Sequence, residues 1–184
     1  MSLIDKLLTR KSHNKLIAPA PTEEQVKQMI KLALRAPDHA LLKPWRFQIY
    51  SGDSLIELGE NFAKASQMAD PEMTKEKLEK IKNKPLRAPM LIIASVVIES
   101  HPKVPEIEQY LSAGASVQNL LIGAHLINIG AMWRTGSLCF NRHLMELLGY
   151  ESNEFIVGFI YLGHEDGEKR APKHPELAKF VDWK

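Results

Sequence analysis

Three short stretches of this 184-residue chain concentrate side chains able to do chemistry. Arg10, Lys11 and Ser12 place two cations and a hydroxyl where a first helical segment ends. The helix macrodipole is negative there, so a phosphate could bind only if side chains supplied the charge and donors, with Arg as a bidentate fork. Taken alone, the triplet reads first as cations complementing a helix end. In LALRAPDHALLKPWRF, residues 32–47, Arg35, His39 and Trp45 gather around two prolines. A rigid loop holding a cation, an imidazole and an indole suits a cofactor rim, and it serves equally as a tight connection over a buried Trp, with Asp38 as a turn residue. Trp133, Arg134, Thr135 and Gly136 form the third stretch. Gly136 permits close backbone approach, and Arg134 is costly to bury without an anion or a carboxylate; local evidence favours a salt-bridged structural Arg.

Other chemistries lack their residues. The chain has no G-x-G-x-x-G, G-x-x-x-x-G-K-[ST] or G-x-S-x-G pattern, so phosphate-cradle and serine-hydrolase readings lose their defining glycines. Its seven histidines, His13, His39, His101, His125, His143, His164 and His174, never fall three to five residues apart, so no local metal pair exists. His125 and Asn128 read as satisfied polar groups of the core, and Met132 and Met145 as packing.

The elements that must position these stretches follow from periodicity and punctuation. Ser2 with Asp5, then Thr22 with Gln25, mark the starts of two helices, ending near Arg10 and near Arg35, where Pro37 turns the chain out of helix. In RFQIYS, Phe47 and Ile49 alternate with polar residues, predicting a strand with one buried face. Ser54 and Glu57 start a further helix, Glu72 to Lys84 reads as a solvated one, and MLIIASVVI, after a turn between Pro85 and Pro89, reads as a central strand buried on both faces. Pro105 opens a long helix to about Ile129, apolar nearly all round from Leu111 onward and therefore central, with Gly130 at its end. AMWRTG predicts a short strand, residues 141–148 a short helix, and FIVGFIYLG a last strand before a polar tail. Helices and strands do not alternate regularly, which argues for α+β.

Composition sets the frame. With 45% hydrophobic residues the chain has enough apolar mass for a single domain over residues 1–184. A formal charge of +2 gives no footprint for nucleic acid or a membrane surface. The single Cys139 excludes an intramolecular disulfide and favours a reducing compartment. No long apolar run opens the chain, and residues 113–133 carry polar side chains unsuited to a membrane span; a cytoplasmic protein is expected.

Taken in order, R-K-S, R-A-P-D-H followed by K-P-W, A-G-A-S-V-Q-N on the long helix, W-R-T-G, and V-G-F-I-Y-L-G resemble the nitroreductase family of flavoproteins, above all its compact bacterial branch of NAD(P)H nitroreductases. The resemblance spans nearly the whole chain. It implies an α+β fold with a central, mostly antiparallel sheet flanked by helices, in an intertwined homodimer that binds two FMN molecules where the subunits meet. Arg10, Lys11 and Ser12 match the segment contacting the FMN phosphate and ribityl chain, and Trp133, Arg134 and Thr135 match one lining the same flavin. Arg35 and His39 match positions reaching the FMN of the other subunit. Gly123, Ala124, His125, Leu126, Ile127 and Asn128 match a segment assigned to the nicotinamide cofactor, although a largely apolar mid-helix stretch also reads as core. Relatives often carry Arg at Lys11 and Ser at Thr135; both changes keep the charge or the hydroxyl.

The resemblance further implies that flavin carries the hard chemistry and that no protein acid or base need be named. The expected activity is a ping-pong cycle in which NADH or NADPH reduces FMN and leaves, and a nitroaromatic, quinone or similar acceptor then takes the electrons. Arg10, Lys11 and Arg134 would favour negative charge on the flavin by Coulomb attraction. The alternatives are a flavoenzyme acting on enones, flavins or halogenated aromatics, a non-turnover flavin-binding or regulatory protein, and a small-anion binder without flavin.

Overall fold

The computed structural model describes residues 2–167, 172 and 175–184; His174 and positions 168–171 of the tail lie outside the described residues. Six helices, α1 (Leu3–Leu8), α2 (Glu23–Ala33), α3 (Asp53–Ala69), α4 (Lys75–Lys82), α5 (Glu106–Leu126) and α6 (Arg142–Leu147), enclose one sheet. Its strands are β1 (Leu16–Ile17), β2 (Trp45–Ser51), β3 (Met90–Val97), β4 (Gly130–Arg134) and β5 (Glu154–Glu165).

Every strand pair is antiparallel. β3 lies between β2 and β5, while β4 and β1 share the far edge of β5, end to end: Arg134 to Gly130 pair with residues 159–163, then Ile17 and Leu16 with residues 164 and 165. Period-2 alternation then sends side chains to opposite faces. Leu91, Ile93, Phe159 and Tyr161 meet α3, α6 and Cys139 on one face; Ile92, Ala94, Ile160 and Leu162 meet α2 and α5 on the other. The α+β class, the antiparallel sheet and the doubly buried β3 are as the sequence predicts.

The capping boxes at Ser2 and Thr22 form as read. Ser54 does not cap α3: Gly52 stands at that position with φ +57, and the Ser54 hydroxyl bonds back to Ser51. Gly130 does not end α5 either. Asn128 takes the left-handed turn there with φ +59, and Gly130 begins β4 where an added Cβ would meet Leu16 Cδ2 at 2.7 Å. Ile49 is 48% exposed although its strand alternates, because β2 is an edge and its other face carries Tyr50 into the core.

The largest departure concerns α5. Its inner stripe, Ala113, Val117, Leu120 and Ala124, is buried, but Ile107 and Leu111 are 62% and 65% exposed. Within one chain this helix is covered on one side only.

Candidate functional site

The end of α1 is pinned to the end of α5. The His125 ring donates from Nε2 to the Lys6 carbonyl at 2.8 Å and sits 3.1 Å from Thr9 Oγ1, while Lys6 Nζ donates to the Leu126 carbonyl at 2.8 Å. His125 is thus a satisfied structural group. The chain leaves α1 at Arg10, whose N–H reaches the Leu7 carbonyl, and the His13 N–H binds the Ala131 carbonyl at the start of β4. Arg10, Lys11 and Ser12 are therefore strung between the C-terminal end of α5 and the edge strand β4. His13 beneath them has a side chain only 9% exposed, with Nε2 3.3 Å from Glu165 Oε1. That contact brings the ring close to the carboxylate without hydrogen-bond geometry, and neither ring nitrogen has a hydrogen-bond partner among the described residues. Burial holds the His13 pKa below its usual value; Glu165 opposes this, and Lys11, His125 and Arg10 add to it.

β4 aims consecutive side chains to opposite faces. Trp133 packs on the α5 face across Gly158, its Nε1 buried and without a hydrogen-bond partner among the described residues. Arg134 turns to the α3 face, its guanidinium carbon 5.9 Å from the centre of the Tyr161 ring, a cation–π geometry. Thr135 and Gly136 follow in the open. Together they line a cavity of about 330 Å³ whose floor is Phe62, Met132, Leu138 and Phe159.

Three cations reach this cavity: Arg134, Lys84 and Arg87. None makes an ion pair with a carboxylate among the described residues. The structural salt bridge expected for Arg134 is therefore absent there. Burial lowers the Lys84 pKa, and Arg87 beside it lowers it further. The Tyr161 hydroxyl is raised by burial and restrained by Arg87 and Arg134. Sequence reading missed Lys84, Arg87 and Tyr161. The prolines around KPLRAP marked the turn that presents the two cations, but nothing local showed that β5 would carry Tyr161 to meet it.

The interrupted helix is a tight connection over a buried Trp. Trp45 is buried at 6% exposure, and Asp38 is a turn residue whose carboxylate accepts from the Lys43 N–H at 2.6 Å. Arg35 and His39 are nonetheless exposed, and His39 Nδ1 lies 2.6 Å from Glu108 Oε2 in the first turn of α5. Ala40, Leu41 and Lys43 all adopt positive φ, at 59°, 58° and 50°. Such crowding of left-handed residues without a glycine stores strain, and strain of this kind concentrates at binding loops.

The stretches do not form one site within one chain. His39 sits at Glu108 and the Arg10 to Ser12 segment at His125, near opposite ends of the 21-residue α5. At the helical rise those points are about 25 Å apart. Within the 123–128 segment, Gly123 and Ala124 are buried, and an added Cβ on Gly123 would meet Met29 Cα at 3.2 Å, so these two residues hold the α2–α5 crossing. Only Asn128 in that segment is exposed. The described residues contain no cluster of three or more His, Cys, Asp or Glu able to hold a metal, and no helix long and apolar enough to cross a membrane.

The family model "Nitroreductase family" matches residues 7–164, which include all three stretches. The chain belongs to the nitroreductase family. It is 34% identical over 184 residues to the Haemophilus influenzae "Putative NAD(P)H nitroreductase", covering all of this chain and 98% of that one. It is 33% identical over 169 residues to "Putative NAD(P)H nitroreductase YdjA" of Escherichia coli strain K12, covering 89% and 88%. Among solved structures, a nitroreductase-like family protein from Bacillus cereus superposes with a TM-score of 0.85 at 20% identity over 100% and 96% of the chains. A nitroreductase with bound FMN from Bacteroides fragilis superposes with a TM-score of 0.74 at 17% identity over the full length of both. Nitroreductase-family architecture thus accounts for the two helical layers and the antiparallel sheet.

The residues present fit a phosphorylated flavin on their own chemistry. Arg10 and Ser12 offer a fork and a hydroxyl, the buried nitrogens of His13 and Trp133 lack hydrogen-bond partners among the described residues, and a cavity with an apolar floor has three cations at its wall.

Proposed function

We propose that this nitroreductase-family chain is an FMN-dependent NAD(P)H oxidoreductase that works as a homodimer, each flavin held by residues of both subunits. When bound, FMN would accept a hydride from NADH or NADPH and pass the electrons to a nitroaromatic, quinone or similar acceptor in a second half-reaction. The observation that carries the reading is the separation along α5: Arg35 and His39 lie about 25 Å from Arg10 to Ser12 in one chain, and Ile107 and Leu111 leave the outer side of α5 bare. A second copy packed on that side supplies both the missing cover and the missing end of the site.

The chain's own residues then divide the work. Arg10, Lys11 and Ser12 hold the phosphate and ribityl chain by charge and hydroxyl donation. Trp133 walls the strand end, while Thr135 and the Gly136 backbone leave room for a flat ring. Arg134, with Lys84 and Arg87, sets a positive potential beside it, which favours negative charge on a ligand there. Phe62, Leu138 and Phe159 exclude water from the cavity floor. Asn128 is the most open residue of the 123–128 segment and would offer surface to a nicotinamide.

The direct test is optical. The purified protein should be yellow, release FMN on denaturation, and bleach anaerobically with NADH or NADPH, with reoxidation by added nitroaromatic or quinone. Colourless protein that cannot be loaded with FMN overturns the reading; FMN-loaded protein that does not bleach with either nicotinamide reduces it to a flavin-binding protein.

A further inference from the structure

His13 has no place in the roles assigned above, yet it is a buried ionisable group directly beside them. Its imidazole is nine-tenths buried one residue after Ser12, its Nε2 lies 3.3 Å from Glu165 Oε1, neither ring nitrogen has a hydrogen-bond partner among the described residues, and its backbone is fixed by the bond to Ala131. A buried imidazole with open nitrogens is costly unless some state of the protein satisfies it.

The charged groups around it come from three elements. Arg10 and Lys11 lie on its own loop and His125 on α5; Glu165 at the end of β5 is the carboxylate that faces it among the described residues. Burial, joined by Lys11, His125 and Arg10, outweighs Glu165 and holds the ring's pKa below its usual value, which favours the neutral form. An anion on Arg10 to Ser12 changes this balance. Two negative charges beside the loop would cancel the repulsion from Arg10 and Lys11 and leave Glu165 as the dominant neighbour, so that a ring N–H becomes a further donor toward the anion.

We propose that binding of the FMN phosphate at Arg10 to Ser12 is coupled to uptake of one proton from solvent by His13, whose imidazolium is then held by Glu165. The inference rests on the flavin reading above. It makes His13 a positioning residue that links cofactor retention to pH: the ring takes a proton on loading and returns it on release, with no other bond made or broken. The sign follows from linkage. The His13 pKa is higher in the loaded state, so retention is strongest below the free-state value and weakens as pH rises toward the loaded-state value.

FMN affinity, read from quenching of flavin fluorescence, should be measured from pH 6 to pH 8 for the wild type, His13→Gln and Glu165→Gln, with folding checked by circular dichroism. The FMN phosphate itself ionises near pH 6 and tightens binding as pH rises, equally in all three proteins. Relative to His13→Gln, the wild type should lose about tenfold in affinity across this range, since one unit of pKa difference is about tenfold in binding. Calorimetry at one pH in two buffers of different ionisation enthalpy should show more proton uptake for the wild type than for His13→Gln, with Glu165→Gln between them. Identical pH profiles and proton counts for the wild type and His13→Gln, both folded, would overturn the inference and leave the flavin reading intact. Wild-type protein that binds no FMN at any pH overturns both.

Discussion

The Trp133 indole occupies the space that a Cβ on Gly158 would need, so β4 and β5 interlock through the absence of one methyl group. Trp133 pairs with Ile160 across the ladder and reaches diagonally over Gly158, which closes the α5 face at the end of β4. Gly158→Ala should cost about 1–3 kcal/mol, the usual penalty for overpacking, and should weaken FMN retention by displacing the wall beside Arg134. Adding Trp133→Ala should recover part of the lost stability, because the two sites share one contact; thermal melts of both single variants and the double variant measure the coupling.

Two-subunit construction of the site has a test by complementation. Arg10→Ala and His39→Ala should each weaken FMN binding about tenfold or more, the scale of a lost charge-assisted hydrogen bond. Mixed dimers of the two variants should regain one full-strength site in two, since one flavin would then meet an intact Arg10 from one chain and an intact His39 from the other. Random pairing makes about half of the dimers mixed, so a fluorescence titration of the refolded mixture should show a tight phase at about a quarter of the sites. Its absence would place both residues on the same flavin from the same chain or remove one of them from the site.

Charge placed on the bare side of α5 should separate the subunits. Leu111→Lys adds a cation where the residue is 65% exposed in the monomer and packed in the proposed dimer. The variant should retain the helix content of the wild type, run as a monomer in light scattering, and lose FMN.

Cys139 is the only cysteine and is buried against Leu138 and the α3 layer, where burial pushes its thiol up to about 11. The folded protein should therefore resist iodoacetamide at pH 8 and react only after unfolding. The linked sign is also fixed. Above an ordinary thiol value of about 8.5 the unfolded chain gives up this proton while the folded chain keeps it, so stability should fall as pH rises from about 9 toward 11. Denaturant melts across that range check the direction.

Much of this was legible in the chain because its signals are local. The capping boxes at Ser2 and Thr22, the proline stop after α2 and the continuous apolar run of β3 depend on residues a few positions apart, and they mark α1, α2 and the central strand correctly. The misreadings arise where a distant partner decides. Gly130 looked like a helix end but is required by Leu16, more than a hundred residues away, and Ile49 lost its cover because β2 is an edge strand. The apolar outer side of α5 looked like core because Ile107 and Leu111 are apolar like the buried stripe beside them, and nothing local shows that this chain leaves them exposed. At the site, the three quoted stretches carried their chemistry visibly, whereas Lys84 and Arg87 did not: cations in a polar turn look solvated until the sheet brings Tyr161 beside them.

One consequence lies in β5. Its residues 159 and 161 floor or wall the cavity, while Glu165 at its end faces His13, so one strand carries both regions in a fixed phase. Inserting a single residue between Tyr161 and Glu165 would swap the faces of everything downstream and carry the carboxylate away from the imidazole, with Arg134 still beside its tyrosine. The spacing along this strand is thus a frame that drift can recolour by substitution but cannot lengthen, and lineages of this protein should vary in the side chains along it while holding its length constant.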